Sequence, residues 1–130
     1  MKTAQYEEAK RLNTERNQRA VLRILQGTQG WITDVAIARL MGKSDSFERT
    51  VRDIIRDLRH DLLPIASESG RGYCWAPNDP EAMKATIADF RHRAKNMWET
   101  ADLMVRGLYR ELGGKKAAQL IDDGQQPMVI

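Results

Sequence analysis

Apolar residues first recur at helical spacing at Ala20, Val21, Ile24 and Leu25, and the run stops at Gly27-Thr28-Gln29-Gly30. Neither Gly nor Pro occurs from Met1 to Gln26, so a helix can reach back to the start. Its first dozen residues carry no apolar stripe, so residues 1–13 read as an N-terminal extension. Trp31-Ile32 is a short apolar pair of one or two strand residues. Thr33 then caps a short helix over about Asp34 to Met41, which packs Val35, Ile37, Ala38, Leu40 and Met41 in some combination. Gly42 ends it as the residue just past the helix. A second helix runs from about Phe47 to Asp61, with Phe47, Val51, Ile54, Ile55, Leu58 and Leu62 spaced as one buried face.

The period then changes. Leu63-Pro64-Ile65-Ala66-Ser67 and Tyr73-Cys74-Trp75-Ala76 are short apolar runs around Glu68-Ser69-Gly70-Arg71-Gly72, which predicts a β-hairpin. Asp79-Pro80-Glu81 is a helix start, with the cap, the proline and the acid each at its favoured place. The helix can run to Leu112, where Gly113-Gly114 stops it. Its apolar residues are Met83, Ile87, Phe90, Ala94, Met97, Ala101, Met104 and Leu108, alternating by four and three as a heptad seam does. Such a helix is roughly 50 Å long, more than a 60-residue domain covers. Two readings of the seam stand: it folds back on its own domain, or it binds further copies as an oligomerisation helix. The flanks Lys84, Arg91 and Arg93 have no acidic complement, so an antiparallel or four-helix arrangement is as acceptable as a parallel pair.

This gives four regions: the extension 1–13, a domain over 14–78, a long helix over 79–113 and a flexible tail over 114–130. The tail has too few apolar residues to form a core, and Gly124 and Pro127 argue for a loose end.

Composition narrows the classes. One cysteine, Cys74, excludes an internal disulfide and fits a reducing cytoplasm. No run of apolar residues spans a membrane, and the polar start shows no signal peptide. The formal net charge is +3, and the basic excess falls before residue 77. Arg outnumbers Lys 14 to 7, which suits bidentate contact with phosphate or guanine. His60 and His92 are isolated, Cys74 lacks a histidine partner, and no nucleotide-binding or hydrolase motif occurs. The expectation is therefore a protein with no enzymatic activity, metal or cofactor.

Helix, short strand, short helix, longer helix and hairpin, in that order, make a winged helix-turn-helix. In that fold the second helix of the pair enters the major groove and the hairpin wing lies on backbone or minor groove. The expected class is thus mainly α with a small β-hairpin wing and a long C-terminal helix. Arg49, Thr50, Arg52 and Arg56 are the candidate groove residues, and Arg71, with no obvious local partner in the wing turn, a candidate phosphate contact. Arg59 lies near the same face. Trp31, Tyr73 and Trp75 are expected in the core.

Arg49-Thr50-Val51-Arg52-Asp53-Ile54-Ile55-Arg56-Asp57-Leu58-Arg59, then Pro64-Ile65 and Gly70-Arg71-Gly72-Tyr73, resembles the winged-helix segment of biotin-repressor-type and deoxyribose-repressor-type regulators. Ile37-Ala38 and Leu40-Met41-Gly42 resemble their first motif helix. The likeness covers about residues 17–76. A wing tyrosine followed directly by a long helix is similar to small phage and prophage winged-helix proteins. Seven residues separate Gly42 from Thr50, so either the turn is longer than usual or the helix starts earlier. The resemblance implies a double-stranded DNA partner and transcriptional regulation by a dimer or higher oligomer. The other reading of the same residues is a protein-interaction or assembly module that meets a partner through the C-terminal helix or tail. On that reading Arg49, Arg52, Arg56 and Arg59 simply pair with Glu48, Asp53, Asp57 and Asp61.

Overall fold

A computed structural model describes residues 2–122. The chain divides into two compact units, Met1–Ile87 and Ala88–Ile130. The first turns of the long helix therefore belong with the hairpin domain.

In the first unit α1 spans Lys2–Gly27, α2 Asp34–Leu40 and α3 Glu48–His60, with a 3-10 turn over Asp45–Phe47 before α3. The expected extension is thus the exposed first half of α1, continuous with the half that enters the core. Val21 and Leu25 of α1, Ile37 and Ala38 of α2, Val51, Ile54, Ile55 and Leu58 of α3, and Ile65 form one buried cluster. Both possibilities for the long connection are partly realised: α3 begins at Glu48, and the 3-10 turn takes up the residues before it.

Local chemistry fixes each boundary. Thr33 Oγ1 accepts the Ala36 N–H at 3.2 Å at the start of α2. At its end the Lys43 N–H returns to the Ala38 carbonyl at 3.0 Å, with Gly42 in the left-handed region. Arg39 ties α2 to the next turn through two 2.9 Å bonds to the Asp45 carboxylate. Those bonds hold the Asp45 carboxyl below its ordinary range and raise Arg39.

The end of α3 departs from the sequence reading. Leu62, expected on the buried face, lies beyond the helix, is 91% exposed and has φ of 68°. The helix stops first because the Leu63 N–H bonds back to the Leu58 carbonyl at 3.2 Å, which places Leu62 at the left-handed residue of the stop. Leu40 is likewise exposed, while Ile37 and Ala38 carry the packing of α2.

β1 (Ile65–Glu68) and β2 (Gly72–Trp75) pair antiparallel, with Ile65 opposite Trp75 and Glu68 opposite Gly72. Ile32 adds one residue on the far side of β2, exchanging two 2.8 Å backbone bonds with Tyr73. Ala66, Cys74 and Ala76 form a smaller buried cluster, with Trp31, Ala82 and Met83 packed on it. Burial, and then the Asp79 charge, push the Cys74 thiol up against a weaker opposite pull from Arg71.

α4 runs Pro80–Leu112, capped by Asp79, whose carboxylate accepts the Ala82 N–H at 3.3 Å. Its buried residue is polar. Thr86 Oγ1 accepts the Ser67 N–H at 3.0 Å and lies 3.1 Å from the Ser67 carbonyl and 2.8 Å from that of Ala82. The hydroxyl thereby covers the free edge of β1.

In the second unit the tail differs from expectation. Gly113, at φ of 84°, breaks α4, and Gly114–Asp122 then forms α5, in which Ala117 is fully buried. A short helix with small Ala117 and Ala118 inward needs few large apolar residues, which is why its composition reads as loose. Residues 123–130, with Gly124 and Pro127, lie outside the described residues. Among the described residues no helix is long and apolar enough to cross a membrane.

Candidate nucleic-acid interface

The buried stripe of α3 determines what its other face offers. With Val51, Ile54, Ile55 and Leu58 inward, Arg49, Thr50, Arg52, Asp53 and Arg56 are exposed. Arg49 makes no ion pair among the described residues. Arg52 Nε lies 3.5 Å from the carboxylate of Asp34, the first residue of α2. Arg56 is shared between Asp53 at 3.7 Å and Asp57 at 3.6 Å.

The segment between α1 and α2 joins this face to the wing. Asp34 meets Arg52, Ile32 pairs with Tyr73 on β2, and Trp31 carries the wing arginine. The Arg71 guanidinium stands 4.6 Å above the Trp31 ring centroid and 3.2 Å from the Glu68 carboxylate. Arg71 thus has two partners where the sequence reading expects none: Glu68, three residues earlier in the same turn, and Trp31, far away along the chain. The Tyr73 phenol is pushed up, first by burial and then by the Asp34 charge, while Arg59 and Arg52 pull it down. The wing tyrosine and the arginine face of α3 therefore lie within electrostatic range of each other.

Arg59 belongs to the scaffold. Its Nε donates to the Ile65 carbonyl at 2.9 Å and its guanidinium lies 5.9 Å from the Tyr73 ring centroid. It locks the end of α3 to the start of the hairpin. Trp31, Tyr73 and Trp75 are half-buried.

Sequence reasoning missed Asp34, which aligns Arg52, and Trp31 as a platform for Arg71. Neither has a local signal, since both meet residues distant in sequence. Thr86 had one: a single hydroxyl among the apolar positions Met83, Ile87 and Phe90. Along the proposed seam, Met83 packs on its own hairpin cluster and Leu108 is half-buried. Ile87, Phe90, Ala94, Met97, Ala101 and Met104 are exposed.

The exposed pairs on this surface are weak, worth about 0–1 kcal/mol each. A phosphate or a base edge can therefore take an arginine from its carboxylate. Among the described residues no three His, Cys, Asp or Glu side chains gather as a metal site. Compared with protein-family models, with curated proteins and with solved structures, the chain matches none.

Proposed function

We propose that this chain is a non-enzymatic, cytoplasmic DNA-binding protein, a transcriptional regulator of the winged helix-turn-helix kind that acts as a dimer or higher oligomer through α4. The observation that carries the reading is the exposed row Arg49, Thr50, Arg52 and Arg56 on α3, linked through Trp31–Asp34 to the wing arginine Arg71. On this reading α3 enters the major groove, and the arginines reach base edges or phosphates. Arg71, held between two glycines above Trp31, meets the backbone.

Each arginine has a separate expectation. Arg52→Ala weakens binding to a preferred site more than to random duplex, since a base contact contributes about 1–3 kcal/mol of discrimination. Arg71→Ala weakens both equally and lowers the salt slope by about one phosphate.

A specific observation favours the second reading, a protein-interaction module without sequence readout. Arg52, Arg56 and Arg71 each have a carboxylate within 3.7 Å, and acids on a DNA face repel phosphate. Binding to random duplex measured against salt separates the two. Phosphate contact gives a log–log slope of about 0.9 per phosphate neutralised. Absence of binding at low salt selects the interaction module.

A further inference from the structure

We infer that the exposed face of α4 binds a second copy of the same helix in antiparallel orientation, with Ile87 opposite Met104, Phe90 opposite Ala101 and Ala94 opposite Met97. The inference rests on the self-association in the proposed function and adds its direction and register.

The exposed part of the seam sets the length of the contact. Met83 is engaged by its own domain and Leu108 is half-buried, which leaves the six positions from Ile87 to Met104. These include large side chains that face water: Phe90 is 45% exposed, Met104 69% and Met97 73%. A continuous apolar row of this kind along one helix face is the surface a partner helix covers.

Side-chain size decides direction. A parallel pair in register sets each seam residue against itself. Ala94 then faces Ala94 and Ala101 faces Ala101, leaving two layers under-filled, while Phe90 meets Phe90 and Met97 meets Met97. Cores pack at crystal-like density, and layers fill best when large faces small. Antiparallel pairing about a two-fold axis between Lys95 and Asn96 gives that arrangement in the four inner layers. Phe90 fills the space beside Ala101, Met97 that beside Ala94, and Ile87 meets Met104. The same six residues are used once each, with no overhang.

Charge gives the same direction. Lys84, Arg91 and Arg93 flank the first half of the row, while Trp98, Thr100 and Val105 flank the second half. A parallel pair gathers six cations at one end. The antiparallel pair puts three at each end, beside the uncharged flank of the other copy. Arg91 then meets Trp98 of the second copy, a favourable cation–aromatic contact. Arg93 already lies over the Phe90 ring at 4.6 Å and pairs with Asp89 at 2.8 Å, so its stem covers the edge of the row. The two copies of Ile87 stand roughly 26 Å apart at 1.5 Å of rise per residue.

The test uses the full chain with Cys74→Ala, so that any new thiol is the only one. A tagged Ile87→Cys chain and an untagged Met104→Cys chain are mixed, allowed to exchange, and oxidised. The expected product is the mixed disulfide, with little of either same-variant product. Same-variant disulfides at both positions overturn the antiparallel register while leaving self-association intact. Light scattering of the unmodified chain gives the second reading and does not depend on either cysteine variant. The expected mass is twice 14.9 kDa. A single-chain mass at high concentration overturns both this inference and the oligomeric half of the proposed function, and a mass above two chains overturns the two-helix pairing. DNA binding is decided separately by the salt titration.

Discussion

Replacing Gly72 by alanine strikes the point where the wing joins the domain. Gly72 has φ of 97°, and a methyl there would collide with the Ile32 carbonyl oxygen. It would also stand 2.7 Å from the Ile32 carbonyl carbon and from Thr33 Cα. All of these are backbone atoms, so no side chain can swing aside. The left-handed conformation costs an L-residue about 1–2 kcal/mol. Relieving the collision means parting Ile32 from Tyr73, whose two 2.8 Å bonds are worth about 0.5–1.5 kcal/mol each. The expected loss is therefore about 2–5 kcal/mol, a large share of the roughly 5–15 kcal/mol that holds a domain together. Gly70→Ala is the matched control. Gly70 also has positive φ, 83°, but an added methyl meets nothing within 4 Å, so only the conformational cost of about 1–2 kcal/mol applies. Urea unfolding of both variants, followed by circular dichroism, measures the difference. Equal losses would show that the close approach to Ile32 carries no energy.

Leu62→Gly removes a left-handed, solvent-exposed leucine and should raise stability by about 0.5–1 kcal/mol in the same unfolding assay; a loss would contradict the helix stop as described. Thr86→Val keeps the shape but leaves the Ser67 N–H without its acceptor, and should lower stability by about 1–3 kcal/mol. The Cys74 thiol, pushed up by burial and by Asp79, holds less thiolate at any pH below its raised pKa. It should react slowly with a thiol-specific chromogenic reagent at pH 8 in the native protein and quickly in urea, and equal rates would show that the small cluster is open. Truncation after Gly114 removes the buried Ala117 and should lower the melting midpoint of the second unit, which an unchanged midpoint would contradict.

The element order was legible because the chain is well punctuated. Gly42, Asp79-Pro80 and Gly113 stop or start helices for local reasons, and period-two runs around Gly70 and Gly72 can close only as a hairpin. Leu62 misled because spacing alone continues the stripe of α3. The carbonyl of Leu58 takes the Leu63 N–H and ends the helix before that residue is reached. The exposed arginines of α3 follow from its periodicity, but their partners do not. Asp34 meets Arg52 through the packing of α2 on α3, and Trp31 meets Arg71 through the pairing of Ile32 with the hairpin, and no local pattern encodes either contact. Arg59 shows the same limit: it reads as one more basic residue on the face, whereas its Nε is committed to the Ile65 carbonyl. In α5, small Ala117 supplies the burial, and a search for large apolar residues passes over it.

On the proposed function, α3 and the wing together meet duplex DNA. Amide spectra of the labelled chain, recorded while a short random duplex is added at low salt, test it residue by residue. The perturbed amides should gather at the first two turns of α3, around Arg49 to Arg56, and in the wing turn from Ser69 to Gly72. They should revert as salt is raised. Perturbations confined to α1 or α4, or none at all, would contradict it.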